Sequence, residues 1–242
     1  MTIEEYFGDW SQIIDLNRVN RLVKSLKEMP DICPLHKDIF KAFHLCPLKN
    51  LRVLLLAMDP YNNKINGKPV ATGLAFANAS DTPERLISPS LDILRESVID
   101  FKRPHGTINF DKSLEKWEEQ GVLLLNSALT CKVNQPGSHT LLWRPFIRDL
   151  LTNLSKHTTG IVYVLLGSDA KSFESYINKS FNHVLTEKHP AWYARDKTSM
   201  PSDIWRDINK ILIGQNGYGI KWYQEVKQLN TEKGEEVFYE GN

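Results

Sequence analysis

LRVLLLAMDPYN, residues 51–62, decides how this chain folds. Six of the seven residues in LRVLLLA are apolar and do not alternate with polar ones, the pattern of a strand buried on both faces. The run then breaks abruptly into the polar turn Met58-Asp59-Pro60-Tyr61-Asn62. Outward from this segment the pattern recurs in VLLLN (122–126) and IVYVLL (161–166), and more weakly in HVLTEK (183–188). Helical patterns lie between the runs, opened by Ser88-Pro89, by Asp111 and by Thr140-Leu141-Leu142. Buried strands alternating with helices predict an α/β chain, a three-layer α/β/α sandwich around a central, mainly parallel four-stranded sheet.

Upstream, Ile13, Leu16, Val19, Leu22, Val23 and Leu26 fall on one helical stripe. They predict a helix across 9–29 with Asp9 as N-cap and Pro30 as stop. A shorter helix is expected at about 35–45. No linker-like composition interrupts the chain, so residues 1–242 read as a single domain. From Gln215 on, the sequence turns polar and reads as a surface segment with a frayed end.

The composition excludes some functions. The 242 residues are 41% hydrophobic, and 30 basic residues almost cancel 29 acidic ones for a net charge of +1. No apolar run nears the roughly 18 residues that span a membrane. A membrane-spanning protein and a basic-tailed nucleic-acid binder are both excluded, but a DNA-binding cleft balanced by acidic surface elsewhere is not. The N-terminus lacks the apolar segment of a signal peptide, and three cysteines are too few and odd in number for a disulfide framework. The expected location is therefore cytoplasmic, or the nucleus or another host-cell compartment if the chain is eukaryotic or viral. Cys33 and His36, with His44 and Cys46, have poor ligand spacing for zinc. No G-x-G-x-x-G follows a strand, and Gly67-Lys68-Pro69 is not a phosphate loop, so neither metal nor cofactor is expected.

In parallel α/β sheets, ligands bind beyond the carboxyl ends of the strands. Here those ends carry Asp59, Asn126, Gly167-Ser168 and His189-Pro190, which brings a carboxylate, an amide, a Gly-Ser turn and an imidazole to one edge. Singly each has a structural explanation; four converging strand ends point to a site.

Asp59-Pro60-Tyr61, Gly73-Leu74-Ala75-Phe76, Gly121 to Asn126, Gly167-Ser168 and His189-Pro190, in that order, resemble the motif set of family 1 uracil-DNA glycosylases. The likeness begins at Lys37 and includes Ser88-Pro89-Ser90-Leu91 and Ser138-His139, fading in the C-terminal fifth. It implies excision of uracil from single- or double-stranded DNA by a monomeric enzyme that flips the nucleotide out of the helix. Asp59 would orient water against the sugar C1′ and stabilise its cationic state, and His189 would donate to uracil O2. Asn126 would read the base edge, with Met58 backbone groups beside it. Tyr61 would exclude the thymine methyl and Phe76 would stack on the base. Ser90, Ser138, His139, Gly167 and Ser168 would contact the DNA backbone.

The family's first motif, Gly-Gln-Asp-Pro-Tyr-His, is Ala57-Met58-Asp59-Pro60-Tyr61-Asn62 in this chain. Its Ser-Pro-Leu-Ser loop is Ala191-Trp192-Tyr193-Ala194, followed by Arg195. Tyr193 takes the leucine position of the minor-groove wedge, with Trp192 as the physical alternative and Arg195 facing phosphate. Divergent stretches at 62–71 and 196–203 are where a partner surface, or a changed substrate preference, would lie; a replication or inhibitor protein is the kind of partner left open. The competing reading is a replication scaffold that keeps the DNA-binding site but has lost most catalysis.

Overall fold

The computed structural model describes residues 2–100 and 107–226. Its centre is one sheet of four parallel strands: β1 (Val53–Ala57), β2 (Val122–Asn126), β3 (Val162–Leu166) and β4 (His183–Glu187), in the spatial order β2-β1-β3-β4. The strands formed by the three apolar runs are buried at every position, and the weaker fourth run is a half-exposed edge strand, which explains its mixed composition. The register pairs Ala57 with Asn126 and Leu166 with Glu187, so all four polar strand ends leave the same edge.

The main helices are α1 (Leu16–Lys27), α2 (Pro89–Asp100), α3 (Thr140–His157), α4 (Pro190–Asp196) and α5 (Asp203–Asn216). The stripe predicted from residue 9 is correct in phase but not in extent. Gly8–Gln12 is a 3-10 turn, and α1 begins only after Asp15, whose carboxylate accepts from the Asn17 and Arg18 amides. Asp9 instead accepts from the Leu48 and Lys49 amides at 2.9 and 2.8 Å, capping a different turn about 40 residues away in sequence. The expected 35–45 helix divides into a 3-10 turn at His36–Asp38 and a short helix at Lys41–Leu45. After Asp111 only the single turn Glu115–Glu118 forms, entered through left-handed Leu114.

The segment expected at the surface from Gln215 is a correction. Its described part buries Ile220 and Trp222, and Gln224–Val226 pairs antiparallel with Thr107–Asn109. Trp222 packs against Trp117 and Trp205 with ring centroids 4.9 Å away, and the Trp117 indole donates to the Trp222 carbonyl at 2.9 Å. The polar letters around it hide one large apolar side chain that the core absorbs. The proposed frayed end at 227–242 lies outside the described residues.

The outer edge of β2 is covered. The Leu124 carbonyl accepts from the Ala75 amide, and the Leu124 amide donates to the Glu118 carboxyl at 2.9 Å. That cover protects the sheet edge and lays the 73–76 loop against the strand that ends in Asn126.

Candidate active site

Asp59 stands two residues beyond β1, on a turn held almost peptide by peptide from one other segment. The Ala57 carbonyl accepts from Ser127 N at 2.9 Å, and the Met58 carbonyl from Ala128 N at 2.9 Å and Ser127 Oγ at 2.8 Å. The Pro60 carbonyl accepts from Cys131 Sγ at 3.4 Å and that of Asn62 from Asn134 N at 2.7 Å. Gly137 N then donates to Asp59 Oδ2 at 2.6 Å, and the Met58 methyl lies against Gly137. Burial pushes the Asp59 carboxyl above its ordinary range; the Gly137 amide opposes this, and nearby Asp169 adds to it.

Tyr61 donates its hydroxyl to the Phe76 carbonyl at 2.9 Å, fixing the loop that carries the aromatic ring. Phe76 itself is left-handed at φ 66°, a conformation that costs a bulky residue on the order of 1 kcal/mol or more. Its neighbour Gly73 permits the close approach of that loop: a Cβ there would fall 2.0 Å from the Asp38 carbonyl oxygen. Strain and tight packing together set the ring 5.3 Å, centroid to centroid, from His189.

His189 caps α4. Its Nδ1 accepts from Ala191 N at 3.1 Å, which leaves the ring proton on Nε2. Burial, reinforced by Arg195 and opposed by Asp169, lowers its pKa to about 4, so the imidazole is neutral at ordinary pH. Gly167 lets the ring pack against the Gly-Ser turn: at φ 92°, a Cβ there would meet His189 Cβ at 2.9 Å.

Asn126 ends β2 with 5% of its surface exposed, and its Oδ1 is buried without a hydrogen-bond partner. An unpaired buried acceptor costs about 1–3 kcal/mol, and a ligand donor would recover it. Asp59, Asn126, the Gly167-Ser168 turn and His189 thus leave the same carboxyl edge of the sheet, and Tyr61 ties in the loop whose Phe76 ring packs beside His189.

The outlying residues differ more. Ser168 and Ser138 are exposed, whereas Ser90 is buried in the first turn of α2 and His139 is buried at the N-cap of α3. Tyr193 does not stand out as a wedge. The residue is 6% exposed and its hydroxyl donates to Glu187 at 2.6 Å, because residues 190–196 form a helix rather than an open loop. Trp192 remains half-exposed, with Lys188 Nζ 3.5 Å from its ring centroid, beside half-buried Ala191 and exposed Arg195. Residues 64–69 form a hairpin, Lys64–Ile65 against Lys68–Pro69, next to the Asp59 turn.

Sequence reasoning missed Gly137, which carries the amide on Asp59, and Asp169, whose charge acts on both Asp59 and His189. Gly137 precedes Ser138-His139 and Asp169 follows Gly167-Ser168, so each lay one residue from a recognised motif. Among the described residues no cluster of three or more His, Cys, Asp or Glu is placed to hold a metal.

A sequence model of the uracil DNA glycosylase superfamily matches residues 43–213. The uracil-DNA glycosylase of Amoebophilus asiaticus is 33% identical over 201 residues, covering 83% of this chain and 87% of that protein. That of Yersinia pestis is 34% identical over 201 residues, covering 81% and 82%. Among solved structures, mimivirus uracil-DNA glycosylase superposes with a TM-score of 0.71 at 21% identity, covering 91% of each chain. A protein from Nitratifractor salsuginis superposes at 0.59 and 18% identity, covering 80% of this chain and 92% of its own. A substituted form of the mimivirus protein was solved in complex with UGI.

Proposed function

Because this chain belongs to the uracil DNA glycosylase superfamily, we propose that its site hydrolyses the N-glycosidic bond of uracil in DNA as a family 1 member, releasing uracil and leaving an abasic site. The observation that carries this reading is Asn126 Oδ1, a buried acceptor without a partner in a site that also holds Phe76 and a neutral His189. Uracil N3–H is the donor such an acceptor lacks, while the Asn126 amide N–H suits uracil O4. Cytosine presents the reverse pattern and would leave both groups mispaired, a large penalty for discrimination.

In the reaction, the C1′–N1 bond breaks with its electron pair going to the base. Negative charge grows on uracil O2, where the Nε2–H of His189 donates to it, a task that needs no net charge on the imidazole. The sugar becomes cationic, and the Asp59 carboxylate stabilises it. A water oxygen then bonds to C1′ and its proton passes to Asp59. Gly137 occupies Oδ2, which leaves Oδ1 for that water.

Phe76 stacks on the base and the Tyr61 ring closes the pocket against a 5-methyl group. Exposed Ser138 and Ser168 face the DNA strand with Arg195, and Trp192 takes the wedge position that Tyr193 does not fill. No observation favours the scaffold alternative. A single-turnover assay on end-labelled single- and double-stranded oligonucleotides bearing one uracil, thymine or cytosine tests the reading. Cleavage at uracil alone after alkali treatment supports it; DNA binding without release of uracil overturns it.

A further inference from the structure

Thr130, four residues beyond Asn126, is fully buried between two ring nitrogens. The Trp143 indole N–H can only donate, and its nitrogen lies 2.8 Å from Thr130 Oγ1. The same oxygen lies 2.8 Å from His139 Nδ1. Two assignments are open. If Nδ1 carried the proton, the buried hydroxyl would accept twice and its own proton would face no acceptor. If the hydroxyl donates to Nδ1, the Trp143 indole, the Thr130 hydroxyl and His139 Nδ1 are all satisfied, and the imidazole proton lies on Nε2.

That proton has no partner. His139 is 4% exposed and its Nε2 is buried without a hydrogen bond. Burial and the Lys132 ammonium both hold the ring below its ordinary pKa, hence neutral. The free protein therefore maintains an oriented, uncharged donor at the N-cap of an 18-residue helix, two residues from the amide that holds Asp59. Exposed Ser138 and Leu141 flank it in sequence. The positive end of the helix dipole and the Lys132 charge select an anionic acceptor.

We propose that Thr130 is the positioning residue behind the DNA-backbone contact that the family resemblance gives His139: its hydroxyl locks His139 as the neutral Nε2–H tautomer, so that the Nε2 proton is the one offered to a backbone oxygen when substrate binds. The DNA acceptor rests on the glycosylase reading; the tautomer lock does not.

Long-range ¹H–¹⁵N NMR of the full chain reads the tautomer directly, and the expected spectrum shows His139 neutral with its proton on Nε2. Adding an oligonucleotide with an abasic site should move that proton downfield. Thr130→Val removes the hydroxyl at nearly constant shape and should mix the tautomers, whereas Thr130→Ser should preserve the lock. In single-turnover titrations with a uracil oligonucleotide, Thr130→Val should raise the half-saturating concentration about tenfold with the maximal rate little changed, and Thr130→Ser should restore binding to within about twofold. A protonated or Nδ1–H imidazole in the wild-type chain overturns the lock, and this measurement does not depend on a variant folding. Mixed tautomers in Thr130→Val with unchanged half-saturation overturn the backbone contact. Failure of the wild-type chain to release uracil would instead overturn the glycosylase reading, because the spectra and the binding titration are read separately from excision.

Discussion

The turn that carries Asp59 and the turn that carries His189 leave the same edge of one sheet, yet they are held in opposite ways. Asp59 is fixed from a distance in sequence: residues 127–137 supply hydrogen bonds to the carbonyls of residues 57, 58, 60 and 62 and to the carboxylate itself. His189 is fixed by its own chain: its ring accepts from Ala191 N, Pro190 starts α4, and Tyr193 ties that helix back to Glu187. The charges explain the difference. A half-buried carboxylate needs a donor to remain ionised, and the Gly137 amide at the end of the 127–137 segment supplies one. A neutral imidazole needs only one acceptor bond and burial, which a helix N-cap provides.

If the charged turn dominates the chemistry, Asp59→Asn should lower single-turnover excision by on the order of 10³-fold with DNA binding retained. His189→Ala should lower it by on the order of 10²-fold, mainly in the maximal rate. The reverse order would break the comparison, by making the neutral turn the principal one.

The pH profile separates the two turns. The proposed mechanism uses ionised Asp59 and neutral His189, and both forms are lost as pH falls. With Asp59 raised and His189 lowered to about 4, the rate should climb with pH through the Asp59 range and then level off. His189→Gln keeps a donor that does not titrate, so its residual activity should retain the acid limb. Disappearance of that limb would assign it to the imidazole.

Smaller changes test the supports. Tyr193→Phe leaves the Glu187 carboxylate without its hydroxyl partner and should cost about 1–2 kcal/mol of stability, measured by urea unfolding, along with part of the His189 geometry. Cys131→Ala removes one weak bond among several on the Asp59 turn and should slow excision only a few-fold, on the order of 0.5–1 kcal/mol. A larger effect from Cys131→Ala would show that the imported scaffold is less redundant than its hydrogen bonds imply.

Glu118, buried on the β2 edge away from both turns, is the control. Burial raises its carboxyl well above the ordinary range, with the Leu124 amide opposing. The folded state therefore favours the protonated form. Its stabilising contribution is full below the unfolded-state pKa and declines as pH rises from there toward the folded value. Glu118→Gln should leave excision unchanged while flattening that decline in thermal unfolding measured across mildly acidic to alkaline pH.

The main strands were legible because a run such as VLLLA has only one stable environment, a sheet covered on both faces. The positions of Asp59 and Asn126 were legible because one follows such a run and the other ends one, and that of His189 only through the weaker run before it. Helix α5 could have been read from Ile204, Trp205, Ile208 and Leu212, which share one face behind Asp203, and α4 from Pro190 at its first turn. The inward turn of Tyr193 was not legible. Its aromatic ring suits a wedge or a core equally well, and only the position of Glu187 on the neighbouring strand selects the core.

By itself the sequence determined the sheet, the order of its motifs and the residue types at the strand ends, because hydrophobic periodicity and strand direction are local properties. Tertiary structure alone decided which donors reach Asp59, which tautomers His139 and His189 adopt, and which aromatic remains at the surface. Those outcomes depend on hydrogen bonds between residues far apart in sequence, such as Gly137 to Asp59 across 78 positions, and no local pattern encodes them.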